Sequence, residues 1–331
     1  PYYEVWNEPD GKWCWKHGVS GTEYGEFVKT TAAAIKVGDP DAKVIGGSMC
    51  LTGLGWLNDV LQTGAGECMD ALTYHSYSPD EVGGFERVRS LRAVCHAFNP
   101  RMEIIQGETG TQSRDDGAGA LRGGAWTPLR QAKFLARHTM ADLFDDVMFS
   151  SYFSCMDMIE ALNGVVGDKS SYLDYGYFGV LGADFDENGV ATGDYTPKPS
   201  YRALQTIAAI FREDVKLAEM PLQFSSGKGS PRLLRGDDSF KDLQYRGFRK
   251  SNGSAGLVYW RSTELLTTSY ESTVSLEAVK LPEQVRLVDL VDGSIYTLPP
   301  AMIDDNGRGV RSFLHLPLRD YPLLLTFGDF I

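Results

Sequence analysis

The chain predicts two folds in series: a β/α unit around a parallel sheet over residues 1–212, then an antiparallel β-sandwich over residues 213–331. Two observations predict this. In the first part, short apolar runs alternate with longer amphipathic stretches, the order that produces a parallel sheet with covering helices. In the second, strand-like runs follow one another closely, separated by Asn252-Gly253, Asp292-Gly293 and Asn306-Gly307, the turn chemistry of antiparallel hairpins.

Taken in order, strands are expected at residues 2–7, 43–48, 71–77, 102–107 and 147–153, and helices at 22–37, 54–63, 85–98, 128–144 and 199–211. The strands are short and mostly apolar, as parallel strands buried on both faces are. Gly38-Asp39-Pro40 and Asn99-Pro100 end their helices: Gly or Asn closes the last turn and Pro cannot continue it. Beyond residue 212 the expected strands are 241–249, 255–262, 272–276, 284–290, 294–298, 311–316 and 322–327. Their alternating Leu/Val pattern reads as packing and carries no site.

With 331 residues, 43% hydrophobic and 23% charged, the chain can bury the cores of two globular domains. A net charge of −12 argues against nucleic acid and anionic membrane as partners, since both call for basic patches. It suits a neutral substrate. No apolar run reaches the length of a membrane span and no signal peptide precedes Pro1, a start that suggests trimming or processing. The five cysteines are scattered without a C-x-x-C pair, which is no disulfide framework. Cys14-x-x-His17 is half a zinc site at most, so neither a metal nor an organic cofactor is expected.

The chemistry gathers at strand ends. Trp6-Asn7-Glu8-Pro9 closes the first strand, and Glu108 closes the fourth, after Met102-Glu103-Ile104-Ile105-Gln106-Gly107. Two carboxylates at the C-terminal tips of parallel strands are what retaining glycosidases need, one protonating the leaving oxygen and one attacking the anomeric carbon. A turn after a strand, with Pro9 terminating it and Glu8 solvated, is the alternative reading of these residues. His75-Ser76-Tyr77 ends the third strand, so its polar groups point where barrel chemistry occurs. Trp13, Trp15 and Trp126 fall in the loops after the two glutamate-bearing strands, where exposed aromatics stack on sugar faces.

These residues resemble the large clan of retaining glycoside hydrolases built on (β/α)8 barrels, in which Asn-Glu-Pro ends the fourth strand. The resemblance covers roughly residues 1–212, with the sandwich following more loosely. It implies that Glu8 is the acid/base and that Asn7 binds the sugar 2-hydroxyl. It also implies that Glu108, at the end of the strand equivalent to the seventh, is the nucleophile. His75 and Tyr77 would line the site, the tyrosine hydroxyl touching the nucleophile. Glu4-Val5-Trp6-Asn7-Glu8-Pro9 followed by Asp39-Pro40-Asp41-Ala42-Lys43-Val44-Ile45-Gly46-Gly47 is nearest in texture to the β-xylosidase/α-iduronidase family. The implied function is hydrolysis of a β-linked plant or gut oligosaccharide, for example a β-galactoside or β-xyloside. For the acid role, burial and the neighbouring carboxylate are expected to raise the pKa of Glu8.

The catalytic strand stands first here, so the expected fold is an incomplete TIM-type barrel of about five β/α units, equivalent to strands 4–8. Five units cannot satisfy the tilt and shear of an eight-stranded closure. Two open parallel edges invite pairing with another chain, so a homodimer through those edges is expected, unless separate upstream units complete the barrel. The missing units also motivate an alternative, a catalytically impaired relic that binds glycans or acts as a scaffold. Three further motifs are set aside. Asp184-Phe185-Asp186-Glu187-Asn188-Gly189 opens like a calcium loop, but Tyr195 holds its twelfth position, and a hairpin turn at Asn188-Gly189 explains it better. In Gly117-Ala118-Gly119-Ala120-Leu121-Arg122-Gly123 the third glycine comes one place late for a dinucleotide loop, which leaves a mobile active-site loop. Asn252-Gly253-Ser254 fits a glycosylation pattern, yet the turn alone accounts for it.

Overall fold

The computed structural model of the protein describes residues 1–160, 174–186, 190–225 and 242–331. The chain divides into two compact units, residues 1–110 with 138–153, and residues 111–137 with 154–331.

The first unit holds a five-stranded parallel sheet in simple sequential order: β1 (Tyr2–Glu4), β2 (Lys43–Met49), β3 (Ala71–His75), β4 (Glu103–Thr109) and β5 (Phe149–Tyr152). It is a curled half-barrel sheet. Helices α1 (Gly21–Gly38), α2 (Leu54–Gln62) and α3 (Glu81–Phe98) fill the crossovers, and α4 (Pro128–Phe144) begins in the second unit and ends in this one. Local chemistry sets the helix ends. The Ser20 side chain accepts from the Glu23 N–H at the start of α1, and Asp80 accepts from Val82 and Gly83 at the start of α3. The Asp80 cap starts α3 four residues before the expected 85. The core behind the sheet comprises Val28 and Tyr24 from α1, Leu57 and Leu61 from α2, Leu91 from α3 and Val44, Leu72 and Ile104 from the strands.

The pairing register slips near the C-terminal ends of three strand pairs: between Gly46 and Met49, between Tyr74 and His75, and between Gln106 and Thr109. Such irregularities bend a strand and re-aim its side chains, and they collect beside active sites. The polar side chains of this unit converge at those ends.

The second unit carries two antiparallel sheets. One has six strands in the order β10 (Lys216–Leu217), β12 (Leu243–Arg249), β13 (Ala255–Arg261), β19 (Leu323–Phe327), β15 (Val285–Asp289) and β16 (Ile295–Thr297). The other has four: β11 (Leu222–Ser225), β14 (Ser272–Val279), β18 (Val310–Leu318) and β17 (Ile303–Asp305). Leu257, Tyr259, Leu325 and Phe327 of the first sheet share one core with Leu276, Phe313 and Leu316 of the second, a sandwich-like arrangement. Gly253, Gly293 and Gly307 take φ of 83°, 81° and 65° at the three anticipated turns, a conformation glycine adopts without a Cβ penalty.

Also in this unit are α5 (Pro199–Ile210) and two small hairpins, β6 (Met158–Glu160) with β7 (Asp174–Gly176) and β8 (Leu181–Phe185) with β9 (Ala191–Pro197). The Asn188-Gly189 turn expected between the last two lies outside the described residues. Lys133 on α4 is fully buried against Asp320 (2.9 Å) and the carbonyls of Leu266 (3.2 Å) and Thr268 (2.7 Å). Among the described residues, no helix is long and apolar enough to cross a membrane.

Candidate active site

β1 stops at Glu4, short of the expected residue 7, because the backbone turns through positive φ at Trp6 (71°) and again at Glu8 (46°). Left-handed backbone at residues other than glycine costs about 1–3 kcal/mol each and persists only where the surroundings over-determine it. Here they do. The Tyr24 hydroxyl donates to the Val5 carbonyl (2.7 Å) and accepts from the Gly47 N–H (3.1 Å). The Glu8 N–H donates to the Ser48 carbonyl at 3.1 Å. Buried Asp10 accepts from the backbone N–H groups of Cys50 (2.9 Å) and Leu51 (2.8 Å).

These anchors aim Glu8 at the tips of β3 and β4. His75 pairs with Glu108 across the two strands, and the Ser76 N–H donates to the Glu108 carbonyl at 3.0 Å. Nδ1 of His75 lies 2.9 Å from Oε1 of Glu8 and 3.8 Å from Oε2 of Glu108. The Tyr77 hydroxyl donates to Oε1 of Glu108 at 2.5 Å, and the Gln106 side chain accepts the Glu108 N–H at 3.0 Å. Glu8, His75 and Glu108 each bring a polar atom within 4.8 Å of the others. Among the described residues this cluster is also spaced to hold a metal ion, but the contact between Nδ1 and Glu8 has the length of an ordinary hydrogen bond.

Burial pushes the Glu8 carboxyl up, but the hydrogen bonds from His75 and Trp13 and the charge on His75 outweigh it, leaving Glu8 below its ordinary value. This corrects the expectation of a raised acid, because a cation and an indole donor were not foreseen against it. Burial alone would lower the His75 imidazole, yet its hydrogen bond to Glu8 and the charges of Glu108, Glu8 and Glu4 hold it above its ordinary value. Both shifts favour the proton on His75 over Glu8.

The tryptophans separate. Trp13 is 57% exposed and donates its indole N–H to Oε2 of Glu8 at 2.5 Å. Trp15 donates to Glu23 (3.2 Å) and meets Trp6, Tyr24 and Phe27 edge-on, so it packs against α1. Trp126 corrects the expectation of an exposed sugar platform. It is 5% exposed within the second unit, donates to the Leu121 carbonyl (2.7 Å), meets Phe134 edge-on and is covered by the Arg130 guanidinium. Burial of a large apolar ring beside the start of α4 outweighs exposure for binding. Asn7 is exposed, its amide nitrogen 3.7 Å from the Cys14 sulfur. Sequence reasoning missed Glu4, whose Oε1 accepts from the hydroxyls of Ser48 (2.7 Å) and Thr73 (2.6 Å). Its signal was a carboxylate inside an otherwise apolar strand.

No protein-family model matches the sequence, and no curated protein sequence matches it. Solved structures do match. A GH39 enzyme from Xanthomonas axonopodis pv. citri aligns with 98% of the chain and 67% of its own length, at 17% identity and a TM-score of 0.53. A family 51 α-L-arabinofuranosidase from Bifidobacterium longum aligns over 98% and 66%, at 14% identity and a TM-score of 0.55. A monomeric β-xylosidase from Caulobacter crescentus aligns over 98% and 69%, at 18% identity and 0.51. The chain thus spans about two thirds of the length of these structures. It has a glycoside hydrolase fold: a partial β/α barrel sheet with antiparallel sheets following.

Proposed function

We propose that the chain is a retaining glycoside hydrolase acting on β-linked glycosides, of the β-xyloside or β-galactoside kind. One observation carries this reading: at the tips of parallel strands, Glu8 and Glu108 bring carboxylate oxygens within 4.8 Å of each other. That approach suits the roughly 5–5.5 Å carboxyl separation of retaining enzymes, whereas inverting enzymes need roughly 6.5–9.5 Å to admit a water. The fold shared with a β-xylosidase and an α-L-arabinofuranosidase supports a glycoside substrate.

In the first step Glu108 attacks the anomeric carbon as the bond to the leaving oxygen breaks, and Glu8 gives that oxygen its proton. In the second, Glu8 takes a proton from water, whose oxygen displaces Glu108 from the anomeric carbon. Tyr77 holds the nucleophile, Asn7 takes the sugar 2-hydroxyl and Trp13 stacks on the substrate. The route draws on no metal and no organic cofactor. β1 and β5 are the edge strands of the barrel sheet, with Tyr2, Tyr3, Met148 and Phe149 exposed along them. A second copy of the chain is proposed to pair there, as a two-fold interface joins identical surfaces and closes.

A panel of aryl β-glycosides (galactoside, xyloside, glucoside, fucoside, glucuronide) tests the reading. Turnover of at least one is expected, abolished by Glu108→Gln. Glu8→Ala is expected to spare substrates with good leaving groups more than natural ones. The five-stranded sheet favours a second reading, a glycan-binding relic. Oligosaccharide binding with no release from any member of the panel would select it.

A further inference from the structure

Both oxygens of Glu8 are occupied, and neither carries a proton towards a substrate. Oε1 faces Nδ1 of His75 at 2.9 Å and Oε2 receives the indole N–H of Trp13 at 2.5 Å. An indole nitrogen only donates, so Oε2 cannot hold a proton in that direction. If His75 is neutral with Nδ1 as acceptor, a proton on Oε1 points at the imidazole. If His75 is charged, Glu8 has none. If a neutral His75 instead donates from Nδ1, Oε1 accepts and holds no proton, so in each of these states the general acid is unready in this conformation.

The indole is placed there by the loop that follows Glu8. Gly11 donates its N–H to the Glu8 carbonyl (2.9 Å), and its own carbonyl accepts from Cys14 (3.2 Å) and Trp15 (3.0 Å), closing the loop on Glu8. The Trp13 ring lies flat on Gly11, where a Cβ would come within 2.6 Å of Cε2 and Cζ2. Unlike Trp15 and Trp126, Trp13 has no ring packed against it among the described residues, and more than half of its surface is open. It is held by Gly11 and the carboxylate.

We infer that Trp13 is a positioning residue for the acid/base: its indole N–H holds Oε2 of Glu8 as a carboxylate, and an incoming leaving-group oxygen takes the place of the indole. Once the indole has moved, Nδ1 of His75 gives its proton to Oε1 across the 2.9 Å contact, and the freed carboxyl rotates to pass it to the leaving oxygen as that oxygen's bond to the anomeric carbon breaks. The acid is thereby armed only when an aglycone is present. The inference rests on the glycosidase reading for its purpose, while the contact itself does not.

The test therefore has a readout independent of turnover. Glu8 is followed by carboxyl-carbon NMR through an acid-to-neutral titration, its signal identified by its loss in Glu8→Gln. In Trp13→Phe, which keeps an aromatic ring without the donor, the Glu8 midpoint is expected to rise. Gly11→Ala, which pushes the indole off without removing it, is expected to move it the same way. For any glycoside that is cleaved, the alkaline limb of kcat/KM rises with it, increasing the relative rate above the optimum by on the order of tenfold. An unchanged Glu8 midpoint in both variants overturns the inference, and leaves the glycosidase reading intact if turnover persists. A raised midpoint without turnover of any glycoside upholds the Trp13 contact and defeats the glycosidase reading.

Discussion

Nδ1 of His75 lies 2.9 Å from Oε1 of Glu8, so the last residue of β3 grips a carboxylate that follows β1, a strand not adjacent to it in the sheet. The grip is electrostatic, and its dependence on pH has a definite sign. The His75 midpoint is raised on folding, so its share of the stability is complete below about pH 6.5 and is lost as pH climbs through the raised value. The Glu8 midpoint is lowered, so its share is present above about pH 4.3 and is lost as pH falls through the lowered value.

His75→Gln removes both contributions. Urea unfolding of wild type and variant is expected to differ by about 1–3 kcal/mol near pH 5.5 and by less at pH 8.5. A gap that stays constant or widens towards alkaline pH would contradict the ion pair.

Tyr77→Phe deletes the donor on Oε1 of Glu108 while leaving the ring in place. With Glu108 as the proposed nucleophile, its freedom to rotate loses near-attack geometry, so kcat is expected to fall by about 10- to 100-fold with little change in KM or in the circular dichroism spectrum. Equal kinetics in the two proteins would remove Tyr77 from the site.

Tyr24→Phe tests the scaffold. The fully buried hydroxyl bridges the Val5 carbonyl and the Gly47 N–H, joining the turn before Glu8 to β2. Its loss leaves two buried backbone groups unsatisfied, an expected cost of about 1–3 kcal/mol. The thermal midpoint should drop accordingly, and any glycosidase activity should fall further than stability alone explains, because Glu8 is re-aimed.

Assembly is checked by light scattering at micromolar concentration. Pairing through the edges of β1 and β5 predicts a mass twice the 36.5 kDa of the chain. A lone 36.5 kDa species would reject the dimer.

The strands and helices were legible because their causes are local. Apolar periodicity marks β2, β3 and β4 within a residue or two at each end. The Asn-Gly and Asp-Gly pairs mark hairpin turns because glycine accepts positive φ. What misled was also local: a mostly apolar run from Tyr2 to Trp6 hides the left-handed turns at Trp6 and Glu8, which Tyr24, Ser48 and the Cys50 and Leu51 N–H groups on Asp10, distant in sequence, hold in place.

The candidate site divides in the same way. That Glu8, His75, Tyr77 and Glu108 stand at strand ends could be read from the chain, since a parallel sheet brings all its C-terminal tips to one side. Which tryptophan touches Glu8 could not. Trp13, Trp15 and Trp126 look alike in sequence, yet one meets a carboxylate, one packs on a helix and one is buried in the other unit. Nor could the proton be placed. By itself the sequence determined the elements and the side to which their reactive ends point. Only the tertiary structure decided that Glu8 lies between His75 and Trp13, which favour its ionised form, because hydrogen bonds and charges act through space, between atoms that chain order does not make neighbours.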